Sequence, residues 1–549
     1  MKKKSNFIVQ GSILALAGIL SRIIGIAKRV PMQHIIGNTG NGYYSVAFEI
    51  YNIMLIISCY SLPLAVSKVV SAKLSKKQYK NAERAFHCAL AFSVLTGGLC
   101  FAVAEIFGDY LATIMKQPMS AMALKVLGPA ILLVAIMGVF RGYFQGLGTM
   151  MPTAISQIIE QIFVMIVSIA GAYFCFQKGV KVGNLLHNEN YAYAYGAAGA
   201  TLGTVVGALT GLLFLLLVYM AYRPRMKRLL AKDSDEAVDS YKTIFRLMIL
   251  TMLPVLLSST VYNISNIIDI RIYNAVMTQK GLEDVMASIW GIYSGEYKVL
   301  INVPIALANA MCASIVPTLS ALFVQHDTKT IRTKISQAMR FTMLIAIPSA
   351  VGLAVLARPT VTLLFNDDVA LATELLHLGT ISVVFLSMST LTNGVLQGIN
   401  RMKVPVCNAL IALIIHVIFL YATMQMGMGV HAVVYANILF AIIVCILNHL
   451  AIRKYTQYKQ EVYKTFLLPI IASAAMGAVI FALNMLLNNV LANVSTKISS
   501  AIIVFVGITI GVTVYFAVLL MLKGVTENDL KRIPGGTYVI RIAKGFHLL

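Results

Sequence analysis

Apolar runs of helix length alternate with short polar loops from one end of the chain to the other. They fall near 7–27, 44–70, 85–106, 121–141, 153–176, 196–221, 245–275, 293–322, 338–358, 371–397, 404–426, 431–452, 465–487 and 499–522. Each can cross a ~30 Å hydrocarbon core, which takes about 20 residues of helix. In lipid every backbone polar group must be satisfied within the structure, and runs this long are not barrel strands. The pattern predicts an all-α polytopic membrane protein with about fourteen transmembrane helices.

The polar positions test that count. Alternate loops are basic, carrying Lys73, Lys76, Lys77, Lys80 and Arg84; Arg223, Arg225, Lys227, Arg228 and Lys232; Lys329, Arg332 and Lys334; Arg401 and Lys403; and Arg453, Lys454, Lys459 and Lys464. Loops between them, such as 425–430 and 488–497, are poor in Lys and Arg. By the positive-inside rule both termini are expected in the cytoplasm. Lys2-Lys3-Lys4 before the first run reads as the flank of an uncleaved first helix, because no small-residue cleavage site follows.

The pattern also repeats. Arg141-Gly142-Tyr143-Phe144-Gln145-Gly146, with Pro152 beyond it, lies between two spans, and so does Asn393-Gly394-Val395-Leu396-Gln397-Gly398, with Pro405 beyond it. Gly142, Gln145 and Gly146 match Gly394, Gln397 and Gly398 at one offset (394 − 142 = 252). A second echo pairs Leu62-Pro63-Leu64-Ala65 with Val303-Pro304-Ile305-Ala306 (304 − 63 = 241). Six helices return the chain to its starting side, so the two copies are parallel repeats. The expected organisation is an N-lobe over 1–222, a linker over 223–244, a C-lobe over 245–453, two further helices within 454–522 and a tail over 523–549. The two Gly-Gln-Gly segments are read as hinges, and the paired prolines as mid-span bending points. Gly199, Gly203, Gly207 and Gly211 line one face of the sixth span, where a neighbouring helix can approach closely.

Composition agrees with lipid as the main solvent: 59% of 549 residues are hydrophobic and 12% charged, and the mean hydropathy is +0.82. A net charge of +23 would suit nucleic acid, but it is spread over the loops rather than gathered with aromatics, so no nucleic-acid partner is expected. The seven cysteines are scattered and have no metal or redox spacing.

Charge inside the spans needs a reason, because a charged side chain at the bilayer centre costs about 2.5–3.5 kcal/mol on insertion scales. Arg22, Lys28 and Arg29 lie in or just after the first span, and Glu49 opens the second. Asp269 and Arg271 come late in the seventh, while Glu296 and Lys298 open the eighth. The two sets occupy corresponding places in the two copies, which points to a net basic cavity for an anionic headgroup. Two other roles stay open: residues near span ends also snorkel to the interface, and Asp269–Arg271 and Glu296–Lys298 also suit structural pairing. Glu160 is a second buried acid, a candidate for ion or proton coupling. Arg141 and Arg401 read as topology anchors.

No catalytic constellation is present. There is no phosphate-binding loop for an ATP motor, no Gly-x-Ser-x-Gly or His-Glu-x-x-His, and the nine histidines lack metal spacing. A transporter without cofactor or metal is expected, driven by the membrane potential, an ion gradient such as that of a monovalent cation, or downhill flow of cargo.

The hinge Arg141-Gly142-Tyr143-Phe144-Gln145-Gly146, Met151-Pro152 and Ser156-Gln157-x-x-Glu160-Gln161 resembles the stage V sporulation protein B/YtgP-type polysaccharide biosynthesis family. That family belongs to the multidrug/oligosaccharidyl-lipid/polysaccharide (MOP) exporter superfamily and is akin to MurJ-like lipid II flippases. Ser21-Arg22-x-x-Gly25-x-x-Lys28, Gly37-Asn38-Thr39-Gly40-x-Gly42-x-Tyr44 and Leu62-Pro63-Leu64-Ala65-Val66-Ser67-Lys68 carry the same resemblance. It implies two six-helix lobes in a V, two terminal helices beside a lipid groove, and residence in the bacterial cytoplasmic membrane. The implied activity is flipping of an undecaprenyl-pyrophosphate-linked glycan, lipid II foremost, by alternating access for peptidoglycan synthesis, with cell-wall synthesis enzymes as partners. Arg22, Lys28 and Lys298 fall at or within one residue of the family's diphosphate-contacting positions. The second-span arginine of MurJ-like proteins has no counterpart in the uncharged stretch 51–57. Another polyprenyl-linked glycan, a drug or cation antiporter and a cell-wall scaffold are the competing readings.

Overall fold

The computed structural model describes residues 7–231, 233, 239–365 and 369–524. Lys2–Lys4, Lys232 and most of the expected tail lie outside these. The described residues are all-α, without a strand. Eleven helices among them are long and apolar enough to cross a membrane, so the chain is a multi-pass membrane protein. The exact count of fourteen is not confirmed among the described residues; the first two expected spans, for instance, fall in one stretch, Leu16–Ser75, which a non-helical Gly37 divides.

The chain forms two compact units, Met1–Gly295 and Glu296–Leu549. The first holds α1 (Phe7–Ser58), α2 (Leu62–Ser75), α3 (Tyr79–Ile114), α4 (Ala121–Gly146), α5 (Met151–Leu186), α6 (Asn190–Leu230), α7 (Tyr241–Gln279) and α8 (Glu283–Ile292). The unit boundary therefore lies beyond the linker expected at 223–244. α6 runs on through Leu230, and α7 and α8 pack on helices of the first unit. The second unit holds α9 (Lys298–Val324), α10 (Thr328–Val355), α11 (Ala357–Leu364), α12 (Val369–Gly379), α13 (Ile381–Gly398), α14 (Lys403–Gln425), α15 (Val430–Thr456), α16 (Leu468–Val490) and α17 (Thr496–Met521).

Small residues set the tightest packing. Along α5 and α6, Gly171 and Gly199 bring their backbones so close that a Cβ on either would overlap the other's carbonyl, and Ser168 Oγ donates to Ala200 O at 2.7 Å. Further along, Gly207 and Gly211 let α6 pass directly over Glu160 of α5. In lipid, such close approach stabilises helix pairs through dispersion.

The two Gly-Gln-Gly segments end α4 and α13 in the same way. Thr149 N–H donates to Phe144 O at 3.1 Å and Gly148 N–H to Gln145 O at 3.0 Å. In the second unit Arg401 N–H donates to Leu396 O at 2.9 Å and Asn400 N–H to Gln397 O at 3.0 Å. This paired bonding closes a helix when the next residue is left-handed, and Gly148 (φ 80°) and Asn400 (φ 58°) supply that conformation at the same 252-residue offset. Pro152 and Pro405 then sit in the first turns of α5 and α14, where a missing N–H costs no helical bond.

The glycines themselves are packing points. A Cβ on Gly142 would lie 2.6 Å from Pro63 O of α2, and one on Gly146 2.8 Å from Val70 Cβ. In the second unit Gly394 abuts Cys312 of α9 and Gly398 abuts Leu319. The packing counterpart of Pro63 is thus Cys312, not Pro304, so the second echo does not mark equivalent places. Pro63 lies in the first turn of α2, directly after the interruption at 59–61 that divides the expected span 44–70.

Candidate functional site

The site grows from a break in α1. Gly37 has φ 64° and ψ −176°, so the helical path is interrupted there and Asn38–Tyr44 lies back along the turns carrying Lys28 and Arg29. Gly42 of this segment and Gly291 of the α8 region each lie against backbone: a Cβ on Gly42 would overlap Ala287 O, and one on Gly291 would overlap Asn38 O. A Cβ on Gly295 would overlap the Asn41 side-chain amide. The absence of side chains at these points seats α8 on the break.

Lys28, 7% exposed, donates from Nζ to the Tyr44 hydroxyl at 3.3 Å, with Nζ 5.5 Å from the ring centroid. Arg29 lays its guanidinium 5.0 Å from the centroid of the same ring and donates from Nη1 to Asn41 Oδ1 at 3.1 Å. Asn41, fully buried, donates from Nδ2 to Gln33 Oε1 at 2.6 Å and to Gly291 O at 3.3 Å. Gln33 in turn donates to Asn38 Oδ1. Tyr44 stacks on Phe48, centroids 5.4 Å apart. Two adjacent cations are therefore held by a phenol and an amide, and among the described residues neither forms an ion pair. Buried cations normally find a carboxylate, because neutral partners return only part of the lost hydration.

The remaining expected residues distribute unevenly. Arg22 is exposed, two turns before the pair, and makes no hydrogen bond or ion pair among the described residues. Glu49 is half-buried beyond Tyr44. On α7, Asp269 is buried and Arg271 half-buried, with an enclosed Nη1 that has no hydrogen-bond partner among the described residues. Glu296 is buried and Lys298 half-buried at the start of the second unit. Of the cavity residues expected, Lys28 and Arg29 are brought together.

Glu160 pairs with Arg141: Nη2 to Oε2 is 2.7 Å, and Arg141 Nε donates to Ser156 Oγ at 3.0 Å. Arg141, expected only as a topology anchor, is part of a clamp across the α4–α5 hairpin. The second unit carries a neutral version at the same offset. Asn393 and Asn408 replace Arg141 and Ser156 (393 − 141 = 408 − 156 = 252). Asn448 bridges them, donating to Asn393 Oδ1 at 2.6 Å and accepting from Asn408 Nδ2 at 2.9 Å. Among the described residues no cluster of His, Cys, Asp or Glu could hold a metal ion.

Gln33, Asn38, Asn41 and Tyr44 were not singled out as site residues from sequence. Polar uncharged residues in an apolar span carry no strong signal, and only the Gly37–Gly42 glycines marked the break. Asn393 and Asn408 were open to discovery by extending the 252-residue offset outward from the glycines.

Comparison with known proteins places this geometry. Residues 8–323, more than half of the chain, match the family described as Polysaccharide biosynthesis protein. The chain belongs to that family. Residues 299–422 also match the family described as MatE. The lipid II flippase MurJ of Bacillus subtilis (strain 168) is 26% identical over 492 residues, 87% of this chain and 88% of that protein. Stage V sporulation protein B of the same organism is 24% identical over 540 residues, 97% and 98% of the two chains. A solved inward closed conformation of lipid II flippase MurJ superposes with a TM-score of 0.66 at 16% identity, over 94% of this chain and 99% of that one. An inward-facing multidrug resistance MATE transporter of the MOP superfamily gives 0.58 at 15% identity, over 79% and 99%. The fold of this polysaccharide biosynthesis family member is thus that of the MOP superfamily.

Proposed function

We propose that this protein is a flippase that carries a polyprenyl-diphosphate-linked glycan, lipid II foremost, from the inner to the outer leaflet of the bacterial cytoplasmic membrane. The observation that carries the reading is the Lys28–Arg29 pair, partly desolvated and without a carboxylate. Such a pair has spare electrostatic capacity for an anion, and a diphosphate presents its oxygens to two donors at once. The relatedness to MurJ and to stage V sporulation protein B supports a lipid-linked cargo. Within the first unit, Arg22 and Arg271 are further cations for the headgroup. No ATP-binding loop is encoded, so the driving force is assigned to the membrane potential, worth ~2.3 kcal/mol per charge per 100 mV for an anion moving outward, or to a monovalent cation gradient.

A different glycan on the same carrier is the second reading, favoured by the uncharged stretch 51–57. Complementation separates the two. In a bacterium depleted of its own lipid II flippase, wild-type protein should relieve inner-leaflet accumulation of lipid II, and K28Q/R29Q at equal expression should not. Good membrane expression without rescue would remove lipid II and leave the other glycans.

A further inference from the structure

Within this reading, we infer that Asn41 and Tyr44 are the residues that set the polarity of the site, holding Lys28 and Arg29 as an unneutralised pair for the two phosphates of a lipid diphosphate. The argument rests on what surrounds the cations. Asn41 is fully buried and fixed on three sides: it accepts from Arg29 at 3.1 Å, and donates to Gln33 and to Gly291 O. An aspartate at this place would be nearly the same shape and would sit as Arg29's counter-ion. An amide instead fixes the guanidinium's direction without cancelling its charge. Tyr44 does the same for Lys28 through a hydroxyl acceptor, while its ring face receives both cations. The π face attracts charge but neutralises none, so two like charges are kept close and their mutual repulsion is relieved only partly. A ligand with two adjacent anionic groups relieves the rest. Asn41 and Tyr44 need not touch it; they are positioning residues that decide its sign and valence.

Asn41 is itself positioned by Gly295, whose missing Cβ leaves room for the amide. A methyl there would fall on the Asn41 amide and close to Gln33 Oε1, so Gly295→Ala displaces Asn41 without removing any polar group, at a cost in stability.

The test measures binding of heptaprenyl diphosphate, with heptaprenyl monophosphate beside it, to purified full-length protein in detergent, together with thermal unfolding of each variant. N41D should lower diphosphate affinity at least ten-fold, because the new carboxylate takes the ligand's place on Arg29; the lost donations to Gln33 and Gly291 O should lower its melting temperature, so binding is compared at a temperature where the variant is folded. Y44L should lose affinity more than Y44F, which keeps the ring, and G295A should lose affinity with a lowered melting temperature. Wild-type protein that binds neither lipid would sink the flippase reading itself. Wild-type binding that N41D and Y44L leave unchanged would overturn this inference and leave that reading standing. If N41D does not fold, the Y44F and Y44L pair decides alone, wild-type affinity in both being the contrary result.

Discussion

Breaking the clamp between Arg141 and Glu160 tests how the α4–α5 hairpin is held. Their side chains are 14% and 17% exposed and 2.7 Å apart. Removing one partner of a fully buried pair costs about 3–5 kcal/mol, mostly because a charge is left uncompensated. Residual exposure lets water reach that charge, so Glu160→Gln and Arg141→Gln are each expected to destabilise by about 2–3 kcal/mol. Ser156 still accepts from the Arg141 guanidinium at 3.0 Å, which favours the lower end for Glu160→Gln. The double variant removes both charges and should cost much less than the sum, giving a coupling energy of about 2 kcal/mol. Reversible unfolding in bicelles, read for all four proteins, measures it. Coupling below about 0.5 kcal/mol would refute the clamp. Transport separates it from an ion-coupling role for Glu160: a clamp predicts recovery in the double variant, whereas a coupling acid predicts that both E160Q and the double variant fail.

The neutral counterpart should behave differently. Asn448→Ala removes the hydrogen bonds to Asn393 and Asn408 and should cost about 1–3 kcal/mol, a loss that hardly changes with salt, whereas the Arg141–Glu160 coupling weakens as salt rises. At the helix ends, Gly148→Ala should cost about 1 kcal/mol from its left-handed backbone alone, since no atom lies within 4 Å of the added methyl; Asn400→Gly should be nearly neutral, both by thermal unfolding. Asp327 caps α10 by accepting from Thr330 N–H at 3.0 Å. Hydrogen bonds from the Thr330 side chain and backbone hold its pKa below the ordinary 3.8. The cap is therefore complete above about pH 4 and is lost as pH falls through the lowered value. Exchange of the Thr330 amide, corrected for intrinsic rate, should rise on acidification in wild type and stay level in Asp327→Asn.

The helices were legible because lipid leaves few choices: runs such as 85–106 and 499–522 can only be helices, and they are. The α4–α5 and α13–α14 turns were legible because Gly142–Gly146 and Gly394–Gly398 punctuate two copies of one bonding pattern. An interruption between the runs 7–27 and 44–70 was legible; that the chain folds back on itself at Gly37 was harder to see, since apolar length carries no direction. Apolar length alone likewise did not show that α2 starts afresh at Leu62. Lys28 and Arg29 stood out because charge in a span is costly. Their partners did not, because Asn41 and Tyr44 act through the direction of a dipole and a ring face, which only the fold at Gly37 creates. The pairing of Arg141 was hidden for a similar reason: its partner Glu160 is nineteen residues away (160 − 141 = 19), and a hairpin is needed to join them.

Flipping by the purified protein tests the central claim most directly. Liposomes carrying a fluorescent polyprenyl-diphosphate glycan would be probed with a membrane-impermeant quencher, comparing wild type, K28Q/R29Q and empty vesicles. The account predicts that wild type exposes the inner-leaflet lipid, that the double variant is at least ten-fold slower, and that a labelled zwitterionic phospholipid is moved by neither. Equal rates in wild type and K28Q/R29Q would contradict it.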